Sequence, residues 1–192
     1  KEWEWVKERS AKGGQDWYFL AYGHDYKSAL RDFTLFAGKI PMPPRYAFGY
    51  WWSRYWTYSD KELRSLVNKF RAYDIPLDVL VIDIDWHYLE GDRGGWTGWT
   101  WNRNLFPDPQ KFLAWFDEEG IRSTFNLHPA DGVKCGEDNY AAVARDMDID
   151  PASKQTVPWV SSDKKFITSM FRNILSPMEK DGVDFWWLDW QQ

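Results

Sequence analysis

The chain has 192 residues, 44% of them hydrophobic, and a formal net charge of −5 spread over interleaved acids and bases. That composition supports one core and at most two small domains. It lacks the basic patch of a nucleic-acid binder and any apolar run long enough to span a bilayer. The single Cys135 cannot close an intrachain disulfide, and the opening KEWEWVKERSAKGG is not a signal peptide.

Residues 1–44 read as the tail of a preceding domain and a linker. WYFLAY (17–22) is strand-like, Tyr26 to Phe36 suits a short helix, and Ile40-Pro-Met-Pro-Pro44 disfavours helix. From residue 45 one grammar repeats, beginning with a strand in RYAFGYWW (45–52). Ser59-Asp-Lys-Glu62 forms a capping box, and Leu63, Leu66, Val67 and Phe70 keep the spacing of one helix face. PLDVLVIDIDW (76–86) is the second apolar run, followed by the polar, tryptophan-rich GGWTGWTWNRN (94–104). Asp108-Pro109 supplies an N-cap and a proline at the first helical position; Phe112, Leu113 and Phe116 make the buried stripe and Gly120 the stop. IRSTFNLH (121–128) is the third run, and residues 131–161 are expected as a loop or small insertion. The third helix of the series starts near Ser162-Asp163 and carries Phe166, Ile167, Met170, Phe171 and Ile174. It breaks at Pro177 and reaches Gly182, just before VDFWWLD (183–189).

Helices that stop on glycine before an apolar strand are the αβ half of a βαβ unit. Nearly continuous apolar strands fit a parallel sheet covered by helices. Polar residues gather at the C-terminal ends of the runs: Ser53 and Arg54, Asp83 and Asp85, Asn126 and His128, then Asp189. Parallel α/β folds bind ligands at that edge. A complete eight-stranded barrel takes about 250 residues. Four units in 45–192 are about half of that, so if the sheet is a barrel the segment is incomplete. The 15 tryptophans are the compositional outlier. An indole offers a flat apolar face and an edge N–H that suit a sugar ring, but a loop pinned by its own aromatics explains 94–104 equally well.

Taken together, PMPPRYAFGYWWSRYW, IPLDVLVIDIDW, NRNLFPDPQKFLAWFDEEGIR and DFWWLDW resemble, in content and order, glycoside hydrolase family 31. The resemblance covers about residues 17–130 and 163–192. It implies an α/β catalytic domain: residues 45–192 as the first half of a (β/α)8 TIM barrel, with the remaining half of the barrel as its partner, behind an N-terminal β-sandwich whose tail is residues 1–44. It also implies retaining hydrolysis of a terminal α-linked sugar, with no cofactor and no metal. Residue by residue, it implies that Asp189 in Trp187-Leu-Asp-Trp190 is the nucleophile. Asp83, with Ile84 beside it, would contact the sugar, and Trp56, Trp187 and Trp190 would line its pocket. Arg54 and Trp56 stand one residue further apart than in many members. Met-Asn-Glu after the nucleophile is replaced by Trp190-Gln191-Gln192, and His128 stands where members often carry an Asp before the third-strand proline. His128 thereby joins the candidate substrate contacts. Because these departures surround the substrate, 2-acetamido sugars, galacto-configured sugars and glycosyl transfer stand beside glucose hydrolysis as readings.

Retaining hydrolysis needs two carboxyl groups about 5–5.5 Å apart. The resemblance supplies the second from beyond strand six, outside this segment, so the segment alone is expected to be inert. Bland explanations exist for each candidate. Asp189 could be a buried carboxylate satisfied by an indole N–H, and His128 a satisfied loop histidine. Asp83 and Asp85, at i and i+2 on one side of a strand, could bond loop amides, and Asp85 reads as structural as readily as functional. No second His or Cys stands at zinc-ligand spacing from His128. VLVIDIDW also fits a magnesium-dependent phosphotransferase of the haloacid dehalogenase type, but His87 occupies the place where that motif expects Thr or Val. A non-catalytic sugar-binding protein is the remaining alternative.

Overall fold

In a computed structural model that describes residues 13–14 and 17–189, four short strands lie side by side. They are β1 (Trp51–Trp52), β2 (Val79–Ile82), β3 (Arg122–Leu127) and β4 (Phe185–Leu188). All neighbours are parallel and the spatial order is β1-β2-β3-β4, the order of the chain. Parallel neighbours joined by right-handed crossovers place every intervening helix on the same face when the order never reverses. An open, doubly wound sheet reverses its order at a switch point; a barrel does not. This sheet follows the barrel rule.

The chain divides into two compact units, Lys1–Pro44 and Arg45–Gln192. The first contains α1 (Tyr26–Ala37), capped by the Asp25 carboxylate, which accepts from the Ser28 N–H. The strand expected over 17–22 does not form: Trp17, Tyr18 and Phe19 are exposed and outside any ladder. In the second unit, α2 (Asp60–Ala72) starts from the expected capping box, with the Ser59 Oγ accepting from Glu62 N–H and the Glu62 carboxylate accepting from Ser59 N–H. α3 (Pro109–Glu119) is capped by Asp108 and ends at Gly120, whose φ of 68° is left-handed and free of penalty only for glycine.

The strands are shorter than their apolar runs, and each shortening has a local cause. Arg45–Phe48 forms a 3-10 turn instead of strand. Gly49 then passes so close to Asp78 that an added Cβ would sit 2.1 Å from its carboxyl carbon, while that carboxylate accepts from Tyr50 N–H at 2.9 Å. β2 ends at Ile82 because the Asp83 carboxylate accepts from Ile84 N–H at 2.8 Å and turns the chain into a 3-10 helix, Ile84–Trp86. The strand alternation expected to place Asp83 and Asp85 on one side therefore does not operate.

Residues 131–161 form a packed insertion. It contains α4 (Tyr140–Asp146), with Tyr140, Val143 and Ala144 buried, and a bridge between Val133 and Val157. After it comes α5 (Lys164–Met170), a π turn over Phe171–Leu175, and α6 (Ser176–Asp181). The break expected at Pro177 is absent. Pro177 occupies the first turn of α6, and the π turn before it accommodates the changed register. Asp146 braces this junction: it accepts from Ser169 Oγ and Asn173 Nδ2, each at 2.7 Å, and pairs with Arg172.

The main hydrophobic cluster fills the helix side of the sheet, while Val79, Val81 and Thr124 are buried on the other face. On the helix side, Leu80, Ile82, Phe125 and Leu127 pack against Leu63, Val67, Phe112, Leu113 and Phe116. Trp99 and Trp101 of the 94–104 loop belong to the same core, so for those two the pinned-loop explanation is the correct one.

The Ser169 hydroxyl, then Arg172 and Asn173, hold the Asp146 carboxyl down at about 2, against 3.8 for a free side chain. A depressed carboxyl stabilises the fold above its unfolded value and loses that contribution as pH falls. Asp146→Ala in the whole protein is expected to cost about 1–2 kcal/mol near neutrality. The difference from wild type should vanish as pH falls from about 4 to about 2. Urea denaturation of both proteins at several pH values checks it; a deficit independent of pH would contradict the assignment.

Candidate active site

Register fixes which side chains share the face without helices. Trp51 aligns with Val79; Val81 aligns with Thr124, and Thr124 with Phe185; Asn126 aligns with Trp187. Aligned residues on parallel strands point the same way, and every second residue joins them. The bare face is thus a series of layers. The lower ones are mostly apolar, Trp51 and Val79 and then Val81 and Phe185 with Thr124 between them. The upper ones turn polar, with Asn126, then His128 and Asp189. A cleft of about 390 Å³ opens over this face, with Trp51, Ser53, Val81, Thr124, Phe185 and Trp187 in its wall. This is the inward face of a half-barrel, which the remaining strands of a complete barrel would fill with side chains.

Asp189 follows β4 directly, and its backbone N–H extends the ladder by donating to the Leu127 carbonyl at 2.9 Å. Its Oδ2 accepts from Asn126 Nδ2 at 3.2 Å, and His128 Nε2 lies 3.7 Å from the same oxygen. The carboxylate is partly open, whereas Asn126 and His128 are buried. Asp83 ends β2 beside this group. Burial raises its carboxyl above the usual range, and the charges of Asp189 and Asp85 push the same way. The Ile84 N–H and His128 oppose them. Asp83, His128 and Asp189 therefore form one electrostatic cluster at the C-terminal edge of three adjacent strands.

Trp56 is exposed, with the Arg54 guanidinium 4.4 Å above its ring, and shares with Tyr58, Asp83, Asp85 and Trp86 a crevice that holds about one water molecule. Asp85 itself accepts from Thr57 Oγ1 at 3.0 Å. Trp187 stands on the cleft face and is exposed. Ile84 is buried, with its N–H donating to Asp83 and its carbonyl accepting from His87 N–H. Trp190 lies outside the described residues.

Two residues beside the His128–Asp189 pair escaped the sequence reading. Asn126 stood out only as a polar residue at a strand end, because its partner is 63 residues away. Trp96, the one exposed indole of the 94–104 loop, stands edge-on to His128 with ring centroids 5.0 Å apart. Its loop is laced to the insertion. Glu137, buried, accepts from Trp99 N–H at 3.2 Å and Thr100 Oγ1 at 2.6 Å, and Trp99 Nε1 donates to the Gly132 carbonyl at 2.9 Å. Burial raises the Glu137 carboxyl above its normal range. Under the same loop, burial lowers the His87 imidazole to about 4, which keeps it neutral. A Cβ at Gly98 would fall 2.0 Å from its Nδ1, so only glycine lets the loop close over it.

A polar, carboxylate-bearing rim above an apolar half-barrel matches a known domain. Residues 40–192 match the model of the glycosyl hydrolases family 31 TIM-barrel domain. The chain belongs to that family. It is 38% identical over 125 residues to alpha-glucosidase 2 of Bacillus thermoamyloliquefaciens, covering 65% of this chain and 15% of that protein. To an alpha-xylosidase of Saccharolobus solfataricus it is 26% identical over 172 residues, covering 90% of this chain and 22% of the other. Among solved structures, a family 31 dextranase of Flavobacterium johnsoniae, complexed with glucose, superposes with a TM-score of 0.62 at 20% identity. That superposition covers 87% of this chain and 21% of the dextranase. The match to the dextranase shows the fold. The chain spans about a sixth to a fifth of the relatives' lengths, so it corresponds to part of a larger polypeptide in each.

Replacing Asp83 by Asn keeps the cap on Ile84 N–H and removes a carboxylate that burial and two like charges oppose. A carboxyl whose folded pKa is raised costs stability once pH exceeds its unfolded value, and the full cost is present above the folded one. Asp83→Asn in the whole protein should therefore raise stability at neutral pH by about 0.5–2 kcal/mol, with the gain fading as pH falls toward about 4 and absent below it. Thermal melts across that range measure it, and a destabilised variant would overturn the electrostatic reading.

Proposed function

We propose that the protein carrying this segment is a retaining α-glycosidase acting on a terminal α-linked sugar. The observation that carries the reading is the position of Asp189. It projects from the end of β4 into a polar rim shared with Asp83 and His128. Membership of family 31 supports the class of chemistry, and the glucosidase and xylosidase names of its relatives support an α-linked sugar.

In this reading the Asp189 carboxylate attacks the anomeric carbon as the glycosidic C–O bond breaks. The departing oxygen takes a proton from a carboxylic acid supplied by the remaining half of the barrel. Water then attacks the glycosyl ester, gives its proton to that second carboxylate, and frees Asp189. Asp83, partly buried and adjacent, would accept from sugar hydroxyls, while Trp187 and Trp56 offer ring faces to the C–H side of the sugar. Trp190 keeps its expected place in the pocket wall as part of this proposal. Residues 1–44 would join the barrel to a preceding β-sandwich. Asp83 and Asp85 are poor alternatives for metal-assisted phosphoryl transfer, because Asp85 is engaged by Thr57 rather than paired with Asp83.

The segment alone lacks the acid/base group and should not turn over aryl α-glycosides. In the whole protein, Asp189→Ala should lower kcat by about three orders of magnitude or more with an unchanged melting curve. Activity within tenfold of wild type would remove Asp189 from the mechanism.

A further inference from the structure

β3 lies between β2 and β4, so the contacts its end makes to either side belong to a complete stretch of sheet. That end holds Asp189 at three points. The Leu127 carbonyl accepts from Asp189 N–H at 2.9 Å, Asn126 Nδ2 donates to Asp189 Oδ2 at 3.2 Å, and His128 Nε2 lies 3.7 Å from the same oxygen. Asn126 and His128 are 1% and 7% exposed, so water competes little with either donor. A carboxylate only accepts hydrogen bonds, so the His128 nitrogen facing Asp189 carries its hydrogen whether the ring is charged or neutral. The imidazole is itself braced. Trp96 stands edge-on to it with ring centroids 5.0 Å apart. The Trp96 loop is tied to the insertion by Lys134, which donates to the Gly94 carbonyl, and by Thr97 Oγ1, which accepts from Asp131 N–H at 3.0 Å.

We propose that His128 is a positioning residue: with Asn126 it grips Oδ2 of Asp189, fixes the plane in which that carboxylate meets the anomeric carbon, and acts on the sugar only through Asp189. The inference rests on Asp189 being the nucleophile of the proposed glycosidase. Such a residue has work to do at this rim. A carboxylate turns about its last side-chain bond with little preference, and the charge of Asp83 repels Asp189 from the neighbouring strand end. Two donors converging on one oxygen oppose both the rotation and the repulsion. Attack on carbon is sensitive to that orientation, because the reacting atoms must approach along an aligned path. The 3.7 Å separation is longer than a hydrogen bond, and contacts of this kind tighten when substrate fills the site. A side chain that touched the sugar would assist its binding, whereas a grip on the nucleophile assists only the bond-forming step.

The test uses the whole protein and three variants at one position. His128→Gln places an amide N–H as many bonds from the backbone as Nε2, His128→Asn carries the same amide one carbon short, and His128→Leu has no donor. Single-turnover release of the aryl alcohol from an α-glycoside, followed against enzyme concentration, separates the rate at saturation from the half-saturation point. His128→Leu and His128→Asn should lower the saturating rate by about 10–100-fold. Half-saturation should stay within about threefold of wild type, and His128→Gln should return the rate to within about threefold. A saturating rate for His128→Leu within about threefold of wild type would overturn the proposal. So would His128→Gln being no faster than His128→Asn, or a loss carried wholly by half-saturation, which would make His128 a sugar contact. Melting curves identify any variant that does not fold, and the comparison of His128→Gln with His128→Asn stands without His128→Leu. If wild type hydrolyses no α-glycoside, or Asp189→Ala remains active, the glycosidase reading itself has failed. If wild type is active, Asp189→Ala is inactive and His128→Leu keeps the wild-type rate, only the role of His128 has failed.

Discussion

The structure depends on one constraint: every crossover between parallel strands returns to the same side of the sheet. The order β1-β2-β3-β4 never reverses, so α2, α3 and the α5–α6 helix pack one face and leave the other bare. That asymmetry divides the residues of each strand. Leu80, Ile82, Phe125 and Leu127 enter the core, while Val81, Thr124, Phe185 and Trp187 border a cleft. It also brings three strand ends together at one rim. Because the strands run the same way, residues far apart in sequence reach one rim, Asn126 from within β3 and Asp83 and Asp189 from the position just past β2 and β4.

The rim is where the fold accepts electrostatic cost. Asp83 is disfavoured as an anion by burial and by neighbouring carboxylates, with His128 and a backbone N–H as partial relief. Asn126 and His128 carry buried polar atoms that no described residue meets. Two carboxylates elsewhere are well matched. Asp146 collects three donors at the π turn, and Asp184 accepts from Arg122 and Ser123 at the opposite end of the sheet. Buried polar atoms that no described residue meets are not confined to the rim, since Trp52 Nε1, His87 Nε2 and Thr124 Oγ1 are others.

What could be read in the sequence was what local chemistry determines. The Ser59–Glu62 box, the Asp108-Pro109 start and the glycine stops at 120 and 182 depend on residues within a few positions of each other. All appear as expected. Strand lengths were less legible because Asp78 and Asp83 end or begin strands through hydrogen bonds that apolar periodicity does not encode. Pro177 looked like a break because a π turn leaves no sequence mark. α4 has only seven residues, and its buried side depends on the distant α5. For the site, the motif order pointed to Asp189 and Asp83. The part played by Asn126 needed the register between β3 and β4, which no single stretch contains.

The buried Glu137 has a consequence for how such a scaffold can change. It fastens the loop after β2 to the insertion after β3, through Trp99 N–H and the Thr100 hydroxyl. Gly132 adds a second fastening through its carbonyl. Neither loop can be exchanged alone without stranding a carboxylate or an indole N–H in the interior. The two therefore behave as one cassette, and Trp96 is carried on it. Diversification of the wall around His128 would proceed by paired replacement of both segments, and recombination that cuts between them would yield chimeras with a defect in packing before any defect in chemistry.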